Sequence, residues 1–168
     1  MQVRVATAAD AAEIAGVHVA SWQAAYRGQM PDSILDNLDV RRRIVRWQEI
    51  LAQPNGVTSV AVDEARLIGF SNLIPSRDTD ADSKAVAELA AIYVHPDLWH
   101  KGIGRELCHR ALQEAENRGF AEVTLWVLKT NLPAIKFYQA MNFVPDGATK
   151  TDKLNDFDLH ELRLRRPF

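Results

Sequence analysis

The chain has 168 residues, 47% of them hydrophobic and 25% charged, a balance expected of a globular protein with one domain over residues 1–168. Its 20 basic and 22 acidic residues leave a net charge of −2, so no basic field points to nucleic acid, and no apolar run approaches the roughly 20 residues that span a bilayer. The one cysteine, Cys108, excludes an internal disulfide, and with no signal-like leader the expected location is cytoplasmic.

Gln2–Ala6 alternates, with Val3 and Val5 on one face, and predicts a first strand. Thr7 with Asp10 forms a capping-box-like pair for a helix to about Tyr26, in which Ile14, Val17, Trp22 and Ala25 lie near one stripe. Pro31-Asp32-Ser33 marks a connection. Asp39 is placed to cap a second helix through Leu51, with Ile44, Trp47, Ile50 and Leu51 on its apolar side, and Pro54-Asn55-Gly56 stops it. Val57–Val62 and Leu67–Leu73 read as strands joined through Asp63–Arg66, a hairpin signal without the best turn residues. Ser76–Lys84, with Asp78, Asp80 and Asp82, reads as a solvated, mobile loop.

Val86–Val94 is the fourth predicted strand. Strict alternation puts Glu88 on one face of it with Ala90, Ile92 and Val94. Gly104–Arg118 is a helix with Leu107, Ala111, Leu112 and Ala115 at helical spacing, stopped by Gly119. Val123–Leu128 is a strand, Pro133–Met141 a short helix, and Phe157–Leu164 a last strand. The order predicts an α/β fold, a mixed sheet flanked by helices.

The most informative segment is Ile92-Tyr93-Val94-His95-Pro96-Asp97-Leu98-Trp99-His100-Lys101-Gly102-Ile103-Gly104-Arg105, a strand, a turn and a glycine loop that opens into a helix. Amides at a helix start lack intrahelical partners and the dipole favours negative charge there, so a phosphate or pyrophosphate ligand is expected. A P-loop would need Gly-Lys-Ser/Thr, and a dinucleotide fingerprint a third glycine where Leu107 stands.

Trp99-His100-Lys101-Gly102-Ile103-Gly104 resembles instead the Q/R-x-x-G-x-G/A signature of the GCN5-related N-acetyltransferase (GNAT) family, with Trp99 in place of Gln or Arg. Ile92–Asp97 is similar to that family's fourth strand and following turn. Asn131, Ala134, Phe137 and Tyr138 resemble its N-x-x-A-x-x-F-Y element, and Phe143 follows Asn142 where a Gly-Phe pair is usual. The resemblance implies a mostly antiparallel central sheet splayed between its fourth and fifth strands, with acetyl-CoA as co-substrate and no metal. It implies that pantetheine lies along Ile92, Tyr93 and Val94, that the amides of His100, Lys101, Gly102, Ile103, Gly104 and Arg105 hold the pyrophosphate, and that Tyr138 protonates the departing thiolate. Asn131 either contacts the cofactor or caps the helix after it. Glu88 is the candidate base, and Trp22 and Tyr26 are the better candidates, ahead of Trp47 and Trp126, for the wall of the acceptor pocket.

The implied activity is N-acetyl transfer to a primary amine, a small molecule or a peptide, by direct attack in a ternary complex. Partners would be that acceptor and a second copy of the chain in a homodimer, with neither nucleic acid nor membrane. A non-catalytic acyl-CoA-binding module and a nucleotide-binding regulator stay open at this point. His18 and Cys108 read as packed helix positions, and His95, His109 and His160 show no metal-ligand spacing.

Overall fold

The structure is a computed structural model that describes residues 1–168. Seven strands form one sheet in the order β1-β2-β3-β4-β5-β7-β6. Here β1 is Gln2–Val5, β2 Val57–Asp63, β3 Arg66–Pro75, β4 Val86–Val94, β5 Glu122–Leu128, β6 Val144–Leu154 and β7 Phe157–Pro167. All neighbours are antiparallel except β4 and β5, and that parallel pair requires a crossover, which α4 (Ile103–Asn117) provides. α1 (Ala11–Tyr26) and α3 (Val40–Leu51), joined through α2 (Asp32–Asp36), cover one face of the sheet; α4 and α5 (Leu132–Ala140) cover the other.

The two faces have separate cores. On the first, Ala11, Ile14, Ala15 and Val17 of α1 meet Trp47 of α3 over Val60, Leu67 and Phe70. On the second, Cys108, Ala111, Leu112 and Ala115 of α4 meet Ala87, Leu89, Val123, Leu125 and Leu164. The caps act as the side-chain chemistry predicts. Asp10 accepts from the Thr7 amide at 2.6 Å and pairs with Arg4 at 2.8 Å, which holds its carboxyl well below the usual range. A short 3-10 turn, Ala8–Asp10, separates Thr7 from α1. Asp39 accepts from the amides of Arg41 and Arg42 and starts α3.

Four sequence expectations change. Residues 144–154 carry no strand signal yet form β6, paired along β7 with a three-residue bulge between Pro145 and Thr149. The connection after Pro31 holds the short helix α2. The acidic loop after β3 is pinned: Asp78 accepts from Trp126 Nε1 at 3.0 Å, and Asp78 and Asp80 both pair with Arg163. Finally, Leu73 opposes Leu89 whereas Asn72 opposes Ala91, so Ala90 is an extra residue in β4. A bulge reverses the alternation beyond it. Glu88 therefore shares its face with Ala91 and Tyr93, on the α1 side, and not with Ile92 and Val94, which lie on the α4 side.

Candidate active site

β4 and β5 pair over only three positions, Val86 with Glu122, Ala87 with Val123 and Glu88 with Thr124. Beyond them the bulge at Ala90 bends β4 away and the sheet opens. A cleft of about 280 Å³ fills the gap. Of the residues singled out from the sequence, Trp22, Tyr26, Glu88, Ile92, Tyr93, Asn131 and Tyr138 line it, and so does Trp126. Trp47 does not; it is buried in the core, where its Nε1 donates to His18 Nδ1 at 3.1 Å.

The backbone of β4 supplies polar groups to this gap. The His95 amide donates to Ile68 O, which sets the phase of the antiparallel ladder with β3. By alternation Tyr93 and Ala91 then turn their N–H and C=O toward β3, and Ile92 and Val94 turn theirs toward the opening. Val94 O accepts from Ser21 Oγ and from Trp99 Nε1, both at 2.8 Å. These bonds tie α1 and the loop to the end of β4, and they give Trp99, the one departure in the glycine signature, a structural role.

Past Val94 the chain makes a 3-10 turn, Pro96–Leu98, and enters the glycine loop. His100 and Gly102 both have left-handed φ, +63° and +83°. Such alternation curls successive amides toward a common centre, an anion-binding concavity. None of the six amides from His100 to Arg105 donates to another group of the chain; the first helical bond of α4 is Glu106 N to Gly102 O. Lys101 and Arg105 are exposed and pair with no carboxylate. Gly104 sits against Phe137 of α5 and Val94, so the loop adjoins the helix that carries Tyr138.

Asn131 caps α5, its Oδ1 accepting from the Ala134 amide at 3.3 Å, while the residue also faces the cleft. Tyr138 packs edge-on to Phe137 and Phe143, and burial raises its phenol well above the usual value, so it keeps its proton. Burial likewise raises the Tyr26 and Tyr93 phenols. Burial pushes His18 down to about 3; it is a neutral ring packed between Trp22, Trp47, Phe70 and Tyr93. Cys108 is buried and pushed up to about 12, so it is no nucleophile at neutral pH.

Glu88 is 3% exposed and both its oxygens are taken by Arg77: Nε and the backbone amide donate to Oε2, at 3.0 and 3.3 Å, and Nη2 donates to Oε1. Sequence reasoning missed the charges on the facing wall, Lys150 and Asp152 of β6 and Glu161 of β7. The only sequence signal for Glu161 is its place two residues after Leu159 and four after Phe157, a carboxylate on the apolar side of an alternating strand.

The model of the acetyltransferase (GNAT) family matches residues 12–143. The chain is 28% identical over 163 residues to an uncharacterized N-acetyltransferase of Bacillus subtilis, YuaI, covering 97% of this chain and 88% of that protein. It is 26% identical over 171 residues to the L-amino acid N-acyltransferase MnaT of Escherichia coli, covering 98% and 94%. Among solved structures, the PaiA N-acetyltransferase of Thermoplasma acidophilum in complex with coenzyme A matches with a TM-score of 0.71 at 22% identity over the whole of both chains. YncA of Salmonella typhimurium, with acetyl-CoA, matches with a TM-score of 0.75 at 20% identity over 99% of this chain and 93% of that one.

Proposed function

The chain belongs to the GNAT acetyltransferase family, and from that premise we propose that it transfers an acetyl group from acetyl-CoA to a primary amine by direct attack in a ternary complex. The observation that carries this reading is the run of six unpartnered amides, His100 to Arg105, opening beside a gap into which Ile92 and Val94 turn their backbone groups. These donors fit a pyrophosphate followed by an amide-bearing pantetheine arm. The two solved neighbours named above hold coenzyme A and acetyl-CoA, which supports the same ligand here.

When bound, acetyl-CoA supplies an activated acetyl group whose thiolate leaves. His100–Arg105 anchor the pyrophosphate through their amides, and Lys101 and Arg105 add positive charge. Ile92, Tyr93 and Val94 align the pantetheine arm by backbone bonds, and Asn131 flanks it. A backbone N–H of β4 polarises the thioester carbonyl. Tyr138 holds its proton at neutral pH and gives it to the departing sulfur. Trp22 and Tyr26 form the aromatic wall against which the acceptor rests. The proton of the incoming amine leaves to a carboxylate of the cleft, Glu88 or another.

The test is coenzyme A release, followed as free thiol, across a panel of primary amines that includes the amino acids, since one relative is named for that acceptor. Turnover with at least one amine is expected. Tight acetyl-CoA binding with no release for any amine would favour a non-catalytic acyl-CoA-binding module. Tyr138→Phe is expected to lower kcat by about 10²-fold with little change in acetyl-CoA affinity, as loss of a general acid does. An unchanged kcat would remove Tyr138 from the chemistry.

A further inference from the structure

Charges of alternating sign cross the roof of the cleft. Glu88 is held by Arg77, Arg77 feels Asp152, Asp152 pairs with Lys150 Nζ at 3.1 Å, and Lys150 Nζ reaches Glu161 Oε2 at 3.5 Å. Three carboxylates share two cations, so one negative charge is uncompensated. It falls at the end of the row. Glu88 is saturated by Arg77, and Asp152 takes the closer contact with Lys150. Glu161 shares Lys150 Nζ with Asp152 at the longer distance, and its side chain is 18% exposed and lines the cleft.

We propose, building on the amine acetyltransferase reading, that Glu161 is the group that receives the acceptor's ammonium and takes its proton, and that Glu88 is a positioning residue that holds Arg77. Strand register supports the placement. Glu161 lies opposite Leu128 of β5 and opposite Lys150 of β6, so its side chain stands on the face shared by Leu128, Trp126, Leu159 and Lys150, all of which line the cleft. Tyr93 of β4 lines the same cleft, on the other side of the opening between β4 and β5. Burial raises the Glu161 carboxyl above the ordinary value; Lys150 opposes that shift and Asp152 adds to it. The charged and titratable groups around it are Lys150 and Asp152 on β6, Arg163 on β7, Arg77 and Glu88 across the roof, and Tyr26 and Tyr93 opposite.

The step balances. Glu161 takes one proton from the ammonium. The freed nitrogen lone pair forms the C–N bond as the C–S bond breaks. Tyr138 gives its proton to the sulfur and regains one from the amide nitrogen, and the proton on Glu161 passes to solvent. The site thus takes a cationic primary amine with an apolar or aromatic body, since Trp22, Tyr26, Met30, Trp126 and Leu159 line the same cleft as the carboxylate.

Two readouts test this. In the free full-length protein, carboxyl carbon NMR should show Glu161 titrating above an ordinary glutamate; an ordinary value overturns the proposal without any acceptor. With an amine found by thiol release, Glu161→Gln should lower kcat by about 10²- to 10³-fold and abolish the acid limb of the kcat/KM profile. Its melting temperature at pH 7 should hold or rise, because an ionised, half-buried charge is removed. Glu88→Gln should lower the melting temperature while keeping the acid limb. Full activity with an intact acid limb in Glu161→Gln overturns the assignment and leaves the acetyltransferase reading standing. Failure of the wild type to bind acetyl-CoA overturns both.

Discussion

Gly102 and Gly104 look alike in the motif but answer different needs. Gly102 has φ +83° with nothing near the position of a Cβ, so its requirement is the left-handed backbone. Gly104 has ordinary φ, and a Cβ there would meet Phe137 at 3.6 Å, a normal contact. Gly102→Ala should cost about 1–2 kcal/mol and weaken acetyl-CoA binding by distorting the amide cradle, whereas Gly104→Ala should leave both nearly intact. Calorimetric titration with thermal melts separates the two, and equal effects would contradict the distinction. His18 carries a pH signature. Its folded value is about 3 against an ordinary 6.5, so below pH 6.5 the unfolded chain binds a proton that the folded chain refuses. Stability should therefore fall by about 1.4 kcal/mol per pH unit once well below 6.5, down to about pH 3, on account of this residue alone. His18→Gln keeps an acceptor for Trp47 Nε1 and should remove that component; urea melts at pH 7 and pH 5 show it as a smaller difference in the variant. The candidate residues that the sequence brought forward were those whose motif is local, Asn131, Tyr138 and the loop. Glu161 was not, because what distinguishes it is the absence of a second cation, a property of three strands brought together.

Among the elements, β6 was the least legible. Val144–Leu154 contains Pro145, Gly147, two aspartates and two lysines and alternates poorly, so nothing in its composition favours a strand. It forms because β7 offers an unpaired edge, and its Pro, lysines and bulge suit an outer strand that must not recruit another chain. The bulge at Ala90 was invisible for a related reason: Ala90-Ala91 keeps the chain apolar whichever way it turns, and only pairing with β3 reveals the extra residue. The β2–β3 hairpin was legible despite its turn. Glu64 and Ala65 both take positive φ, 46° and 67°, the conformation in which Asn-Gly is favoured. Replacing Glu64-Ala65 by Asn-Gly should stabilise the protein by about 1 kcal/mol and raise its melting temperature by about 2–4 °C. A lower melting temperature would mean that the turn residues serve something besides the turn.

At the scale of the molecule, the site is a fault in the sheet. The parallel pairing of β4 and β5 stops after Glu88 and Thr124, and the bulge carries β4 outward. In the proposed reaction the gap exposes strand backbone from one side to a donor anchored by the α4 loop, and from the other to an acceptor in the aromatic and acidic cleft. Ser21 and Trp99, both bonded to Val94 O, keep α1, β4 and the loop in one arrangement. The central claim is that the amides of this loop and of the open strand hold coenzyme A. Amide chemical-shift mapping during titration of coenzyme A into labelled protein tests it most directly. The account predicts the largest shifts at His100–Arg105, Ile92 and Val94, saturating together. Shifts concentrated elsewhere, with the loop amides unmoved, would contradict it.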